Sequence, residues 1–143
     1  MLKNIAVLIM LLCANFAFAQ KVVFLESFKA GNALFPGMQP AEINQAFTKE
    51  TGLTAPSGVL TDPKIIEHLA DLPSNTPNIK RAYYEIYQGK ENKRDDAGIV
   101  IVQFKSANDV MRIIPNIHQD NVEQLRKDNY LIYIWSDESR VSL

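Results

Sequence analysis

The sequence predicts an α+β domain of the ferredoxin-like βαββαβ type: a four-stranded antiparallel sheet with helices on one face and spatial strand order 4-1-3-2. Three observations predict it. Runs rich in β-branched and aromatic residues occur at 21–28, 79–87, 98–105 and 130–135. Segments with apolar residues three and four apart lie between the first and second runs and between the third and fourth. The two central runs are joined by a short polar stretch suited to a hairpin.

The elements follow in order. Residues 1–19 read as an export signal: Lys3 supplies the positive start, Ile5 to Leu12 a short apolar core, and Ala17-Phe18-Ala19 the small-x-small pattern cleaved before Gln20. The stretch is interrupted by Asn4 and Asn15 and is shorter than a bilayer crossing of about 20 residues. Leu12 before Cys13 is too large for a lipid-attachment signal. Lys21 to Phe28 is then the first strand, ended by Gly31, Asn32, Pro36 and Gly37. Pro40 opens a helical stretch with Ile43, Ala46 and Phe47 on one face and Gly52 as its stop. Asp62 caps a second helix that has Pro63 at its first position and Ile65, Ile66 and Leu69 as its stripe, and Pro73 ends it.

Ser74 to Asn78 is a loop. Ile79 to Tyr87 and Gly98 to Lys105 pair across the charged tip GKENKRDD. Ser106 caps a helix carrying Val110, Ile113 and Ile114, which Pro115 breaks. Asn121 to Lys127, with Asp120 as its cap, reads as a further set of helical turns. Tyr130 to Trp135 closes the sheet, and Ser136 to Leu143 is a polar tail. The domain therefore spans 20–143, with no linker or low-complexity run to divide it.

Composition narrows the function. Signal cleavage removes Lys3, one of 15 basic residues, and none of the 16 acidic ones, so the formal charge moves from −1 to −2. Binding a phosphate backbone needs positive charge, so nucleic acid is not an expected partner. The single cysteine leaves with the signal, which removes disulfide and thiol chemistry from the mature chain. An exported domain of this size without disulfides points to a bacterial envelope or secreted protein, periplasmic or extracellular. No integral membrane segment is expected after cleavage.

The strands themselves suggest where such a domain binds. On the second run Tyr83, Glu85 and Tyr87 share one face and Ala82, Tyr84 and Ile86 the other; on the last, Leu131, Tyr133 and Trp135 oppose Tyr130, Ile132 and Ile134. Both faces are apolar. A second apolar surface built around Tyr83, Tyr87, Tyr133 and Trp135, with Glu85 among them and Ile99, Ile101 and Gln103 beside it, is the candidate ligand or partner face. The plain alternative is that these strands are simply hydrophobic and that the loop Ala30 to Met38, or the terminal tail, folds over the open face.

Catalytic templates are missing. His68 in EHLAD and His118 in IHQD lack a second ligand at metal spacing, so no metal is expected; His68 is most simply a helix-surface residue, and His118 part of a capping loop. Asp95 and Asp96 lie in the hairpin tip with Lys90, Lys93 and Arg94, as solvated charges do. The sequence has no nucleophile elbow, zinc helix, P-loop or dinucleotide glycine pattern, so no cofactor is expected and an enzyme is the less favoured reading.

Two segments resemble known families. AGIVIVQF, Ala97 to Phe104, is similar to the third strand of RNA-recognition domains at Gly98, Val102 and Phe104. Ile99 and Ile101 stand where that family stacks bases on aromatic rings, and Ala97 stands at its basic position, so RNA stacking is not implied. NVEQLRKDNYLIYIW, Asn121 to Trp135, resembles the closing helix and strand of subtilisin-propeptide-type inhibitors, which implies a protease-inhibitory role; the extra helix Ser106 to Ile114 departs from that family, and no inhibitory residue carries over. The expected function is an exported, non-enzymatic module that binds a protein partner or itself through the aromatic face. Its rival is a small-molecule binder or cofactor-independent enzyme, with a pocket over the sheet walled by Tyr83, Glu85, Tyr87 and Trp135.

Overall fold

A computed structural model describes residues 34–93, 96–114 and 122–136. Over these residues the chain runs β1 (Met38–Pro40), α1 (Gln45–Thr51), β2 (Ser57–Leu60), α2 (Pro63–Leu69), β3 (Ile79–Gly89), β4 (Asp96–Phe104), α3 (Ala107–Met111), β5 (Val122–Lys127) and β6 (Tyr130–Ser136). Strands and helices make an α+β domain, but one with a six-stranded sheet in the order β1-β3-β4-β6-β5, and β2 also pairs with β3. Every pairing is antiparallel. The predicted first strand at 21–28, the Asp120 cap, Pro115 and His118 lie outside the described residues, as do residues 137–143 of the tail.

This arrangement overturns the ferredoxin-like βαββαβ topology. In the order 4-1-3-2 the third predicted strand would have the first and second as neighbours, with the fourth reaching the sheet only through the first. Instead β4 is bonded on one side to β3 and on the other directly to β6, with Gly98 opposite Trp135 and Val102 opposite Leu131. No edge of β4 is left for another strand. The expected closing helix over Asn121 to Lys127 is also a strand, β5, joined to β6 by the two-residue turn Asp128-Asn129, with Asp128 at positive φ (51°). That turn is tied to the neighbouring strand: Asn129 donates from Nδ2 to the Phe104 carbonyl at 2.8 Å, and Phe104 N–H donates to the Asn129 carbonyl at 2.8 Å.

The opposite edge is built from two short strands laid end to end along β3. β1 pairs Met38 with Gly89 and Pro40 with Tyr87; β2 pairs Ser57 with Glu85 and Leu60 with Ala82. Pro40 is thus an edge-strand proline, where a missing N–H is tolerated, rather than the opening of a helix. α1 begins later, at the N-cap Asn44, whose side chain accepts from Phe47 N–H at 2.9 Å, and it ends at Gly52 in the left-handed conformation (φ 77°). α2 follows its sequence signals closely, with Asp62 accepting from Lys64 N–H and Pro63 in the first turn. α3 is shorter than its apolar stripe suggested. Ser106 and Asp109 close a capping box, but helical structure stops at Met111, before Ile113 and Ile114.

Both faces of the sheet are buried, and the side-chain period of two divides them. Ala82, Tyr84, Ile86, Val100, Val102, Phe104, Leu131 and Tyr133 face the helices, and Ile66 of α2, Val110 of α3 and the adjoining Leu53, Ala70, Leu72 and Ile113 join them in one cluster. The reverse face carries Tyr83, Tyr87, Ile99, Ile101, Tyr130, Ile132 and Ile134, with Leu34, Phe35 and Met38 packed against them. A bulge between Ile79 and Arg81 returns Ile79 to the helix side. Fully burying an isoleucine contributes roughly 1.5–3 kcal/mol. Ile99 and Ile101 in the central strand, both sealed from solvent, therefore anchor the reverse core.

Candidate functional site

The five residues singled out from the sequence do not share a surface. Strand register places Tyr83 opposite Ile101, and Ile101 opposite Ile132; the last strand therefore contributes Tyr130, Ile132 and Ile134 to the face of Tyr83 and Tyr87. Tyr133 and Trp135 point to the helix side. The sheet thus splits the candidate face into a sealed group of three and a pair in which Tyr133 is buried and Trp135 half-buried.

The sealed group is a clasp along β3. Residues 83, 85 and 87 project from one side because alternate strand positions share a face. Tyr83 donates its hydroxyl to Glu85 Oε1 at 2.6 Å, and Tyr87 donates to Glu85 Oε2 at 2.7 Å. Glu85 is only 4% exposed. Two phenol donors on one buried carboxylate are the kind of charge-assisted bonding that offsets the cost of taking that group out of water. Burial pushes the Tyr83 phenol well above its ordinary range, and its bond to Glu85 and the charges of Glu85 and Tyr87 add in the same direction. The Phe35 ring lies 5.1 Å from that of Tyr87, so the segment around Leu34, Phe35 and Met38 fills this end of the face.

One layer along the sheet a second polar chain crosses three strands. Arg81 donates from Nε to Gln103 Oε1 at 3.0 Å, and Gln103 donates from Nε2 to the Tyr130 hydroxyl at 3.1 Å. Burial raises the Tyr130 phenol; Arg81 opposes the shift and Asp128 adds to it. Arg81 and Tyr130 were not singled out from the sequence, because cross-strand partners depend on register, which single-strand periodicity does not specify.

The pair on the helix side sits at the end of β6. The rings of Tyr133 and Trp135 are 5.8 Å apart and tilted by 45°, within the range that favours aromatic pairs. Trp135 is half-buried, and its indole lies across Gly98 on β4. A Cβ at Gly98 would overlap the indole and come within 2.9 Å of the Glu85 carbonyl, so the missing side chain creates the seat for Trp135. Gly98 was a signal present in the sequence: glycine inside an otherwise β-branched run marks a close approach. Val122 pairs with Trp135, and Gln124 with Tyr133. The Gln124 Nε2 is buried there with no hydrogen-bond partner. Burial raises the Tyr133 phenol, and the nearby Asp71 carboxylate adds to the shift.

The remaining candidates are dispersed. His68 lies in the last turn of α2, and among the described residues no group of His, Cys, Asp and Glu side chains is placed to hold a metal ion. In the hairpin tip Lys93 pairs at 2.8 Å with Glu42, across an exposed surface where such a bridge contributes little. No described helix is long and apolar enough to cross a membrane. No protein-family model matches the chain, and neither the curated proteins nor the solved structures contain a match.

Proposed function

We propose that this chain is an exported, non-enzymatic interaction domain whose partner-binding surface is the aromatic corner at Trp135, backed by the buried Tyr133 ring. The observation that carries this reading is the half-buried indole seated over Gly98. It is a rigid aromatic anchor at the end of a central strand, of the kind that dominates binding energy at protein interfaces. Tyr83, Glu85, Tyr87 and Tyr133, each under 9% exposed, serve the core in this reading. The pattern at residues 1–19 supports the export half of the proposal.

Two rival readings lose their sequence basis. A pocket walled by Tyr83, Glu85, Tyr87 and Trp135 would need side chains from opposite faces of the sheet to converge. The likeness to propeptide-type inhibitors rests on a closing helix, and residues 122–127 are a strand.

The test is Trp135→Ala. Proteins retained by the wild-type domain in its own compartment should be lost, with affinity for each purified partner falling by about 30-fold, as for a loss of roughly 2 kcal/mol at an aromatic hot spot. Trp135 is the only tryptophan in the chain, so its fluorescence should also shift when a purified partner is added to the wild type. An unchanged set of partners with a folded Trp135→Ala variant overturns the proposal.

A further inference from the structure

Strand β5 forms one edge of the sheet, and among the described residues β6 is its only paired neighbour. Charges along an edge ordinarily keep it from pairing with other chains. In β5 the order of the charges matters more than their presence. Glu123, Leu125 and Lys127 pair with Ile134, Ile132 and Tyr130, so they project from the reverse face. Val122, Gln124 and Arg126 pair with Trp135, Tyr133 and Leu131 and project from the helix face. Leu125 already packs on the reverse core, while Arg126 and Lys127 are exposed.

An edge strand that meets a copy of itself antiparallel, about a two-fold axis normal to the sheet, keeps each face continuous across the junction, so residues of one face must oppose residues of the same face. The axis then passes midway between one residue and its copy, and few choices exist within β5. Centring on Glu123, Arg126 or Lys127 would bring like charges face to face, which destabilises a cross-strand pair. Centring on Gln124 would set Glu123 against Leu125 and Val122 against Arg126, giving no charge its complement. Centring on Leu125 sets Glu123 opposite Lys127 of the partner subunit, and does so twice by symmetry. It also places the two Leu125 side chains against each other in line with the isoleucine core, and sets Gln124 beside Arg126 on the other face.

We infer that β5 is a self-association edge, occupied by β5 of a second copy of this chain in the antiparallel register centred on Leu125. The apolar row Ile101, Ile132, Leu125 then continues through the two-fold axis into the second subunit, flanked by two cross-subunit Glu123–Lys127 pairs. This goes beyond the aromatic-corner reading: it uses the strand edge rather than the indole, and each can fail without the other.

Sedimentation velocity at low ionic strength, on protein recovered from cells expressing the full chain, tests the register. The wild type should dimerise within roughly the micromolar to millimolar range. Glu123→Lys and Lys127→Glu should each weaken association about tenfold or more, because each removes two attractive cross-strand pairs and creates two repulsive ones. The double variant Glu123→Lys with Lys127→Glu should restore it to within a few-fold, since the pairs re-form with signs exchanged. Trp135→Ala should self-associate as the wild type does. A protein that stays monomeric throughout, a dimer indifferent to either single reversal, or a folded double variant that fails to recover each overturns the inference. If circular dichroism shows a reversal variant unfolded, Glu123→Gln and Lys127→Gln replace them. These should weaken the dimer several-fold and abolish its salt sensitivity, and unchanged association overturns the inference equally.

Discussion

At the scale of single residues, the least expected feature is a carboxylate placed inside an apolar face. Glu85 would be costly there without donors; Tyr83 and Tyr87, two positions away on either side, supply them. The Y-x-E-x-Y spacing is visible in the sequence, and alternation puts the three side chains together. The packing of Leu34, Phe35 and Met38 over that face is one of the two alternatives the sequence left open, undecided there because such contacts depend on where a loop returns. Tyr83→Phe should leave Glu85 short of one donor and destabilise the domain by about 1–3 kcal/mol at neutral pH. The effect has a defined pH dependence. The phenols of Tyr83, Tyr84, Tyr130 and Tyr133 are all raised in the folded state, chiefly by burial, whereas in the unfolded chain they ionise near about 10. Above that pH the unfolded state binds fewer protons than the folded one. The contribution of these phenols is therefore complete below about pH 10 and declines as pH rises toward their folded values. Urea midpoints measured at about pH 8 and about pH 11 should fall for the wild type, and the gap between wild type and Tyr83→Phe should narrow, because the variant has one phenol fewer to ionise. A gap independent of pH would contradict this account.

At the scale of elements, legibility follows how much of the determining physics is local. α2 was legible because Asp62, Pro63 and its apolar stripe all act within one segment. β3 and β4 were legible because their β-branched and aromatic content exceeds what a helix of that length would carry. β5 was not. Val122 and Leu125 are spaced as on a helix, and in β5 that spacing puts them on opposite faces: Val122 toward Trp135 and Leu125 toward Ile132. Both positions can be apolar because both faces of the sheet are covered, and the strand state comes from pairing with β6 through the Asp128-Asn129 turn. Tertiary pairing overrides local periodicity. Gly98 shows the same non-local dependence within a strand that was foreseen. Gly98→Ala should force the indole of Trp135 off β4 and destabilise the domain by about 1–3 kcal/mol, the usual cost of overpacking. Tryptophan emission should move to the red as the ring enters water. Wild-type stability with unchanged emission would show that the indole does not depend on the glycine for its seat.

At the scale of the whole molecule, the α+β class was readable while the topology was not: the short edge strands β1 and β2 carried no strand signal of their own, and one ambiguous segment reversed the order at the other end. Alternating strand and helix signals admit a crossover or a hairpin wherever an ambiguous segment precedes a strand. Reading 121–127 as helix made the last connection a crossover and sent the closing strand to the far side of the sheet; as β5 it makes a hairpin, and β6 lies beside β4. The candidate face failed for the related reason that it joined strands without their register: moving a strand by one residue exchanges its faces, and Tyr133 and Trp135 belong to the face opposite Tyr83 and Tyr87.

Maturation is the remaining property of the whole chain that can be tested directly. The cationic start at Lys3, the apolar core and Ala17-Phe18-Ala19 together predict cleavage before Gln20. An N-terminal glutamine can cyclise with loss of ammonia. Intact mass of the protein recovered from the envelope or medium of expressing bacteria should therefore match residues 20–143, with a second species lighter by about 17 Da from that cyclisation. Placing arginine at both Ala17 and Ala19 should block processing and leave the precursor in the cell, because the peptidase accepts only small side chains at those positions. An uncleaved wild-type chain, or a mass increased by acyl groups at Cys13, would overturn the export half of the proposed function. The strand register that seats Trp135 and the edge presented by β5 would stand unchanged.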